Sequence, residues 1–235
     1  MKFSLLQTIA CLLAIEPLAC VLAFPAEYNP TSANHNEVGS LATGENEKRA
    51  GSNAVPMKKV ASNTWAGSKS AKGLFGQPAS DAGVRGAAKD TADQFKKDHK
   101  KPGFKVILAT ISIPGVGFVS GTQWKANDED FEERASTYAP NFWAAVPGGA
   151  QQRNYGTDGA KWHAEAVAAA RAEELYGAIM DPETGRWPDG TKIYVYEYKE
   201  GSTPKPFKIC EGESTAMIGC TTWLRNLNID VVPMA

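Results

Sequence analysis

The spacing of apolar and polar positions changes several times along this chain, and each change predicts an element. After Lys2, an apolar stretch runs from Phe3 to Ile15, broken by Ser4, Gln7 and Thr8; Glu16-Pro17 and mostly small residues then lead to Ala23. A charged start, an apolar centre and a small-residue end predict a secretory signal over residues 1–23. The alternative is a membrane anchor, but the run falls short of the ~18 uncharged apolar residues a span needs. Residues 24–49 hold few large apolar side chains and end in Lys48-Arg49. They predict a propeptide with too little apolar surface to fold alone. Gly, Ser, Ala and Lys dominate residues 50–80, where Trp65 and Phe75 are isolated aromatics; this stretch reads as a basic flexible arm.

From residue 81 the pattern becomes regular, and residues 81–235 read as the folded domain. Val84, Ala87, Ala88, Thr91, Ala92 and Phe95 fall on or near one face of a helix over 81–99. Lysines and then Pro102-Gly103 stop it. Phe104 to Ile113 and Val116 to Thr122, joined by Pro114-Gly115, predict a hairpin. Asp128 to Glu133 reads as a solvated helix face, as does Glu173-Glu174. The Ala-rich segment AKWHAEAVAAARAEELYG predicts a helix starting near Ala160, capped by Thr157 or Asp158 and stopped at Gly177. A strand follows from Lys192 to Tyr198, then a Pro-containing loop with Cys210. A helix capped by Ser214 and a short strand, Ile229 to Val232, complete the chain. The fold class is α/β, in the order α-β-β-α-β-α-β, with one sheet and helices packed on it.

Charge modifies this picture without overturning it. The whole chain of 235 residues has a formal net charge of -1, which gives no global signal for nucleic acid. Residues 50–105 carry 11 basic and 4 acidic residues, while residues 106–235 carry 11 basic and 17 acidic. A basic segment ahead of an acidic body can track phosphates by releasing counterions, or can simply be a solvated lead-in.

With the signal and propeptide removed, Cys11, Cys20 and His35 leave with them, and His163, Cys210 and Cys220 remain as a soft-metal set beside His99. Three protein ligands with an open fourth position is the arrangement of catalytic zinc. Glu165 lies two residues after His163. Residues two apart on a helix are about 200° apart, so the two share a site only in the first turn. Gly148-Gly149 reads as a turn, because no phosphate-binding or dinucleotide pattern surrounds it.

His163-Ala164-Glu165 at a helix start, then a strand, then cysteines entering a second helix and a short strand, resembles the zinc-dependent cytidine deaminase-like superfamily, whose signature is H-x-E followed by P-C-x-x-C. The resemblance covers residues 81–233 and implies a three-layer sandwich. It implies zinc (Zn²⁺) on His163, Cys210 and Cys220, and Glu165 as proton shuttle in removing an exocyclic amine. The implied substrate is a nucleobase, cytosine ahead of adenine, in single- or double-stranded DNA, in RNA or in a nucleoside. Asn154, Tyr155 and Trp162 are the candidate substrate contacts; the flanking aromatics, Trp162 among them, equally suit a core. The signal and a dibasic pair like that of fungal secretory proproteins suggest a secreted toxin or effector branch. An immunity protein would be its partner by analogy, with no membrane attachment of the mature form.

One departure from the family stands out. Nine residues separate Cys210 from Cys220 where the family has two, so Cys210 must reach in from an enlarged loop. Other readings stay open at this level. His163 can be a core histidine, and Glu165 an ordinary first-turn acid favoured by the helix dipole. Cys210 and Cys220 can form a disulfide, which suits a secreted protein. The chain is then a nonenzymatic effector or binding protein, or a metal-free descendant of the deaminase fold.

Overall fold

The computed structural model describes residues 53–70, 77–99, 105–146, 162–211, 213–214 and 217–234. The signal, the propeptide, Asn154, Tyr155 and the proposed caps Thr157 and Asp158 lie outside the described residues. Within them the chain is a mixed α/β structure built on one sheet of seven strands. The strands are β1 (Lys58–Ala61), β2 (Thr64–Ser70), β3 (Lys105–Ile113), β4 (Gly117–Thr122), β5 (Lys192–Lys199), β6 (Lys205–Pro206) and β9 (Asp230–Val231). The sheet order is β1-β2-β4-β3-β5-β6, antiparallel throughout, and β9 pairs parallel with β5.

The strand alternation assigns each face a partner. On β3, Ile107, Ala109, Ile111 and Ile113 enter the main core, while Val106 and Leu108 join Trp65, Phe95 and Tyr198 on the opposite face. On β5, Ile193 and Val195 face the main core, and Tyr194 and Tyr196 meet Val84, Ala88 and Ala92 of α1 (Asp81–Asp98). This is the period-2 pattern of a sheet covered on both faces. Ser80 caps α1 by accepting from the Gly83 N–H at 3.1 Å. His99 ends α1 stacked on Phe95, ring centroids 4.1 Å apart.

The main core holds α4 (Ala164–Tyr176). Ala164, Ala166, Ala168, Ala169 and Ala172 are all fully buried. Burial of the alanines on several sides makes the first three turns of α4 an interior helix, with Arg171 and Glu174 towards its rim. Gly121 on β4 makes its approach feasible: a Cβ there would lie 2.7 Å from the Ala168 backbone nitrogen. The helices α2 (Asp128–Tyr138), α3 (Pro140–Ala145) and α5 (Cys220–Asn226) complete this layer. A 3-10 turn, Gly177–Ile179, follows α4 directly.

Four expectations change. Residues 53–70 are not a flexible arm, because β2 pairs with β4 from Ala66↔Gly121 to Ser70↔Gly117. The composition concealed this strand because its burial comes from partners distant in sequence. Val55 is fixed by donating its N–H to the Thr91 hydroxyl at 2.9 Å, and Gly67 leaves room for the Pro56 carbonyl. The Ala-rich helix starts at Ala164 rather than near Ala160, with His163 as its N-cap residue. The last helix starts at Cys220 rather than at Ser214, which lies in the short strand β7 (Glu213–Ser214). Glu173 is not on a solvated face: it is 5% exposed. Its carboxylate accepts from the Asn141 and Phe142 backbone N–H groups at 2.9 and 2.7 Å and so caps α3. Glu174 is half-buried and pairs with Arg134 and Arg171. No described helix is long and apolar enough to cross a membrane.

Candidate metal centre and its buried glutamate

Three chain segments meet at the N-terminal end of α4. Directly before that helix, the Trp162 carbonyl accepts from the Trp124 N–H at 3.0 Å, which ties the lead-in to the residues just after β4. His163 has extended backbone, φ −71° and ψ 165°, and its carbonyl accepts from Ala166 and Val167. The second segment is the loop after β6, held to β5 by the Phe207 N–H on the Val195 carbonyl and anchored by buried Ile209. It delivers Cys210. The third is the start of α5, which delivers Cys220 behind Gly219.

The nine residues between the cysteines do not hold them apart. Glu213–Ser214 (β7) and Met217–Ile218 (β8) pair antiparallel, so the insertion turns back on itself and returns the chain beside Cys210. The Cys220 N–H then donates to the Cys210 sulfur at 3.0 Å, and the Thr221 N–H to the Cys210 carbonyl at 3.4 Å. The enlarged loop expected from the sequence thus brings Cys210 in as a hairpin excursion.

The His163 Nδ1 atom lies 3.6 Å from the Cys210 sulfur and 3.5 Å from the Cys220 sulfur. All three ligand atoms fall within 4.8 Å of one another. A tetrahedral zinc with Zn–N near ~2.0 Å and Zn–S near ~2.3 Å separates nitrogen from sulfur by roughly 3.5 Å. The donor set and its spacing therefore fit a metal ion. The hydrogen bond with Cys220 acts first, against burial and with help from His163, to hold the Cys210 thiol well below its ordinary range. A thiolate is the form that binds a metal. Among the described residues this is the one cluster of His, Cys, Asp and Glu side chains that could hold such an ion.

Glu165 sits in the first turn of α4 and is 2% exposed, so it is not an ordinary solvated helix-end acid. Its Oε2 atom is buried without a hydrogen-bond partner among the described residues. Burial raises its pKa from 4.5 to about 7, with His163 lowering it and Cys210 raising it. Both of these neighbours belong to the ligand cluster.

The other sequence candidates are placed as follows. Trp162 is fully buried, 4.8 Å from the Phe131 ring and 5.9 Å from Trp143, and forms part of the core. Asn154 and Tyr155 lie outside the described residues. His99 is on the α1 side of the sheet, against Phe95 and Trp65. Sequence reasoning passed over Gly121, whose missing side chain lets the α4 backbone at Val167 and Ala168 approach β4. The signal was present, since a glycine inside the strand GFVSGT often marks close approach of another backbone.

The chain finds no match among protein-family models, curated proteins or solved structures.

Proposed function

We propose that this chain is a secreted, zinc-dependent deaminase that hydrolyses the exocyclic amine of a nucleobase, cytosine ahead of adenine, in a nucleic acid or a nucleoside. The observation that carries the reading is the convergence of His163 with two cysteines from a distant segment, beside a buried glutamate two residues along the same helix turn. Chance does not favour that set in one place, because the ligands are 47 and 57 residues apart in sequence. In support of the reading, α1, β3, β4, α4, β5, α5 and β9 follow one another in the order expected of a deaminase-like domain, with β1 and β2 ahead of them, α2 and α3 between β4 and α4, and β6, β7 and β8 between β5 and α5.

His163 Nδ1, Cys210 Sγ and Cys220 Sγ would hold zinc. Zinc in a three-ligand site supplies Lewis acidity and a nucleophile generated from water near neutral pH. Glu165 then handles the protons. Its unpartnered Oε2 would take a proton from the attacking water and pass it to the ring nitrogen, and would then carry a second proton from the added hydroxyl to the amine, which leaves as ammonia. Such transfers need a group that is neither firmly protonated nor firmly ionised. The core packing of α4 holds Glu165 in place and excludes bulk water from its carboxyl.

The test is ammonia release over a panel of single- and double-stranded DNA, RNA and free nucleosides containing cytosine or adenine. Activity on at least one member that is lost in Glu165→Gln is the expected result. A reduced, zinc-loaded protein inactive on the whole panel contradicts the reading.

A further inference from the structure

We infer that Cys210 and Cys220 are also a reversible dithiol–disulfide couple, and that closing it removes both sulfurs from the metal site. The inference rests on the proposed metal reading and names a regulation of that same site. Its first support is position. The Cys220 N–H contacts the Cys210 sulfur at 3.0 Å and the Thr221 N–H contacts the Cys210 carbonyl at 3.4 Å. With backbone and side chain so close, a bond needs side-chain rotation and small loop adjustments rather than a change in the sheet. Neither sulfur is tied up in a disulfide.

The second support is an asymmetry of access. Cys210 is half-buried and lies in a loop outside any helix or strand, whereas Cys220 is buried at the start of α5. Cys210 is therefore the sulfur an incoming oxidant reaches, and Cys220 the one that resolves the intermediate. The oxidant is a small-molecule disulfide, such as oxidised glutathione. The Cys210 thiolate attacks one of its sulfurs, forms a mixed disulfide and releases one glutathione thiolate. The Cys220 thiolate attacks the Cys210 sulfur, closes the internal bond and releases the second. The two cysteine sulfurs together lose two electrons, the two glutathione sulfurs gain them, and the two thiol protons leave with the released glutathiones. A dithiol reductant runs the same steps backwards.

The third support is the shared coordination. The two sulfurs supply two of the three candidate ligand atoms, and thiolates are what a metal binds. An internal disulfide leaves only His163, too few ligands for a stable site. The structure thus links the site to redox conditions: closed and metal-free where disulfides persist, open where thiols are kept reduced.

The experiment treats the purified protein, first freed of metal by a chelator, with oxidised glutathione. Peptide mapping follows, because it separates these cysteines from Cys11 and Cys20. The expected result is a Cys210–Cys220 linkage and a fall in zinc uptake from one ion per chain to none, restored by a dithiol reductant. Zinc added before the oxidant should prevent the linkage. Cys220→Ser should stop at a glutathione adduct on Cys210. Failure of the linkage in a protein that binds zinc when reduced overturns the couple and leaves the proposed function standing. A linkage in a protein that binds no zinc when reduced overturns both. The zinc-protection arm uses unmodified protein, so it remains decisive if a variant does not fold.

Discussion

The two ends of α4 each bury a glutamate, and the two are treated in opposite ways. Near the C-terminal end, Glu173 is 5% exposed and its carboxylate is met by the Asn141 N–H, the Asn141 Nδ2 and the Phe142 N–H, at 2.9, 2.9 and 2.7 Å. That carboxyl caps a helix. Near the N-terminal end, Glu165 is 2% exposed, and its Oε2 has no hydrogen-bond partner among the described residues. Burying a carboxyl without compensation is unfavourable, so folding alone gives no reason for it. What distinguishes the two is their neighbours. Glu173 faces three N–H donors, while Glu165 lies under the influence of a histidine and a cysteine that could hold a metal. Burial by itself is therefore a poor guide to function here, and unmet hydrogen-bonding capacity is the better one.

The contrast gives four expectations. The largest concerns Glu165→Gln, which should lower deamination by about 10²–10⁴-fold. Zinc content and the unfolding midpoint should change little, because glutamine keeps the shape; a parallel loss of zinc would make Glu165 a ligand instead. Second, Glu173→Ala should reverse this profile. It strips the acceptor from three N–H groups, two of them backbone, and should cost about 3 to 4 kcal/mol in urea denaturation. The activity of the molecules still folded should be kept. An unchanged midpoint would mean that water replaces the carboxylate.

The third expectation uses pH on reduced, chelated protein. The Glu165 carboxyl titrates at about 7 when folded, against an ordinary 4.5. The native state therefore binds more protons between those values. The associated stability is complete below pH 4.5 and is lost as pH rises through 7, up to about 3 kcal/mol in all. The slope should disappear in Glu165→Gln, and a slope that survives the substitution assigns it to another group. Smallest is Gly121→Ala. Its new Cβ meets the Ala168 backbone nitrogen, so α4 must shift, at a cost of about 1–3 kcal/mol. Because the displaced helix carries both His163 and Glu165, activity should fall along with the melting temperature.

The comparison also shows what the sequence could reveal. Helix α1 and strands β3, β4 and β5 were legible nearly to their ends, because their apolar periods match their burial. His163, Glu165 and Cys220 were legible as candidates from residue type and element order. Strand β2 was not, because TWAGSKS has little β-branched content and becomes a strand through pairing with β4. The start of α5 was misplaced by the insertion before it, whose β7–β8 pairing has no strong local signature in ESTAMI. Glu173 looked solvated because an acid late in a helix usually is, and only the fold brings Asn141 and Phe142 over it. Elements defined by local period could be read; contacts made across long loops could not.

Zinc content of the reduced protein, measured by elemental analysis in wild type, Glu165→Gln and Cys220→Ser, tests the central claim most directly. The account predicts one zinc per chain in the first two and none in the third. A wild-type protein that takes up no zinc, or a Cys220→Ser protein that retains it, would contradict the claim that His163, Cys210 and Cys220 form one metal site.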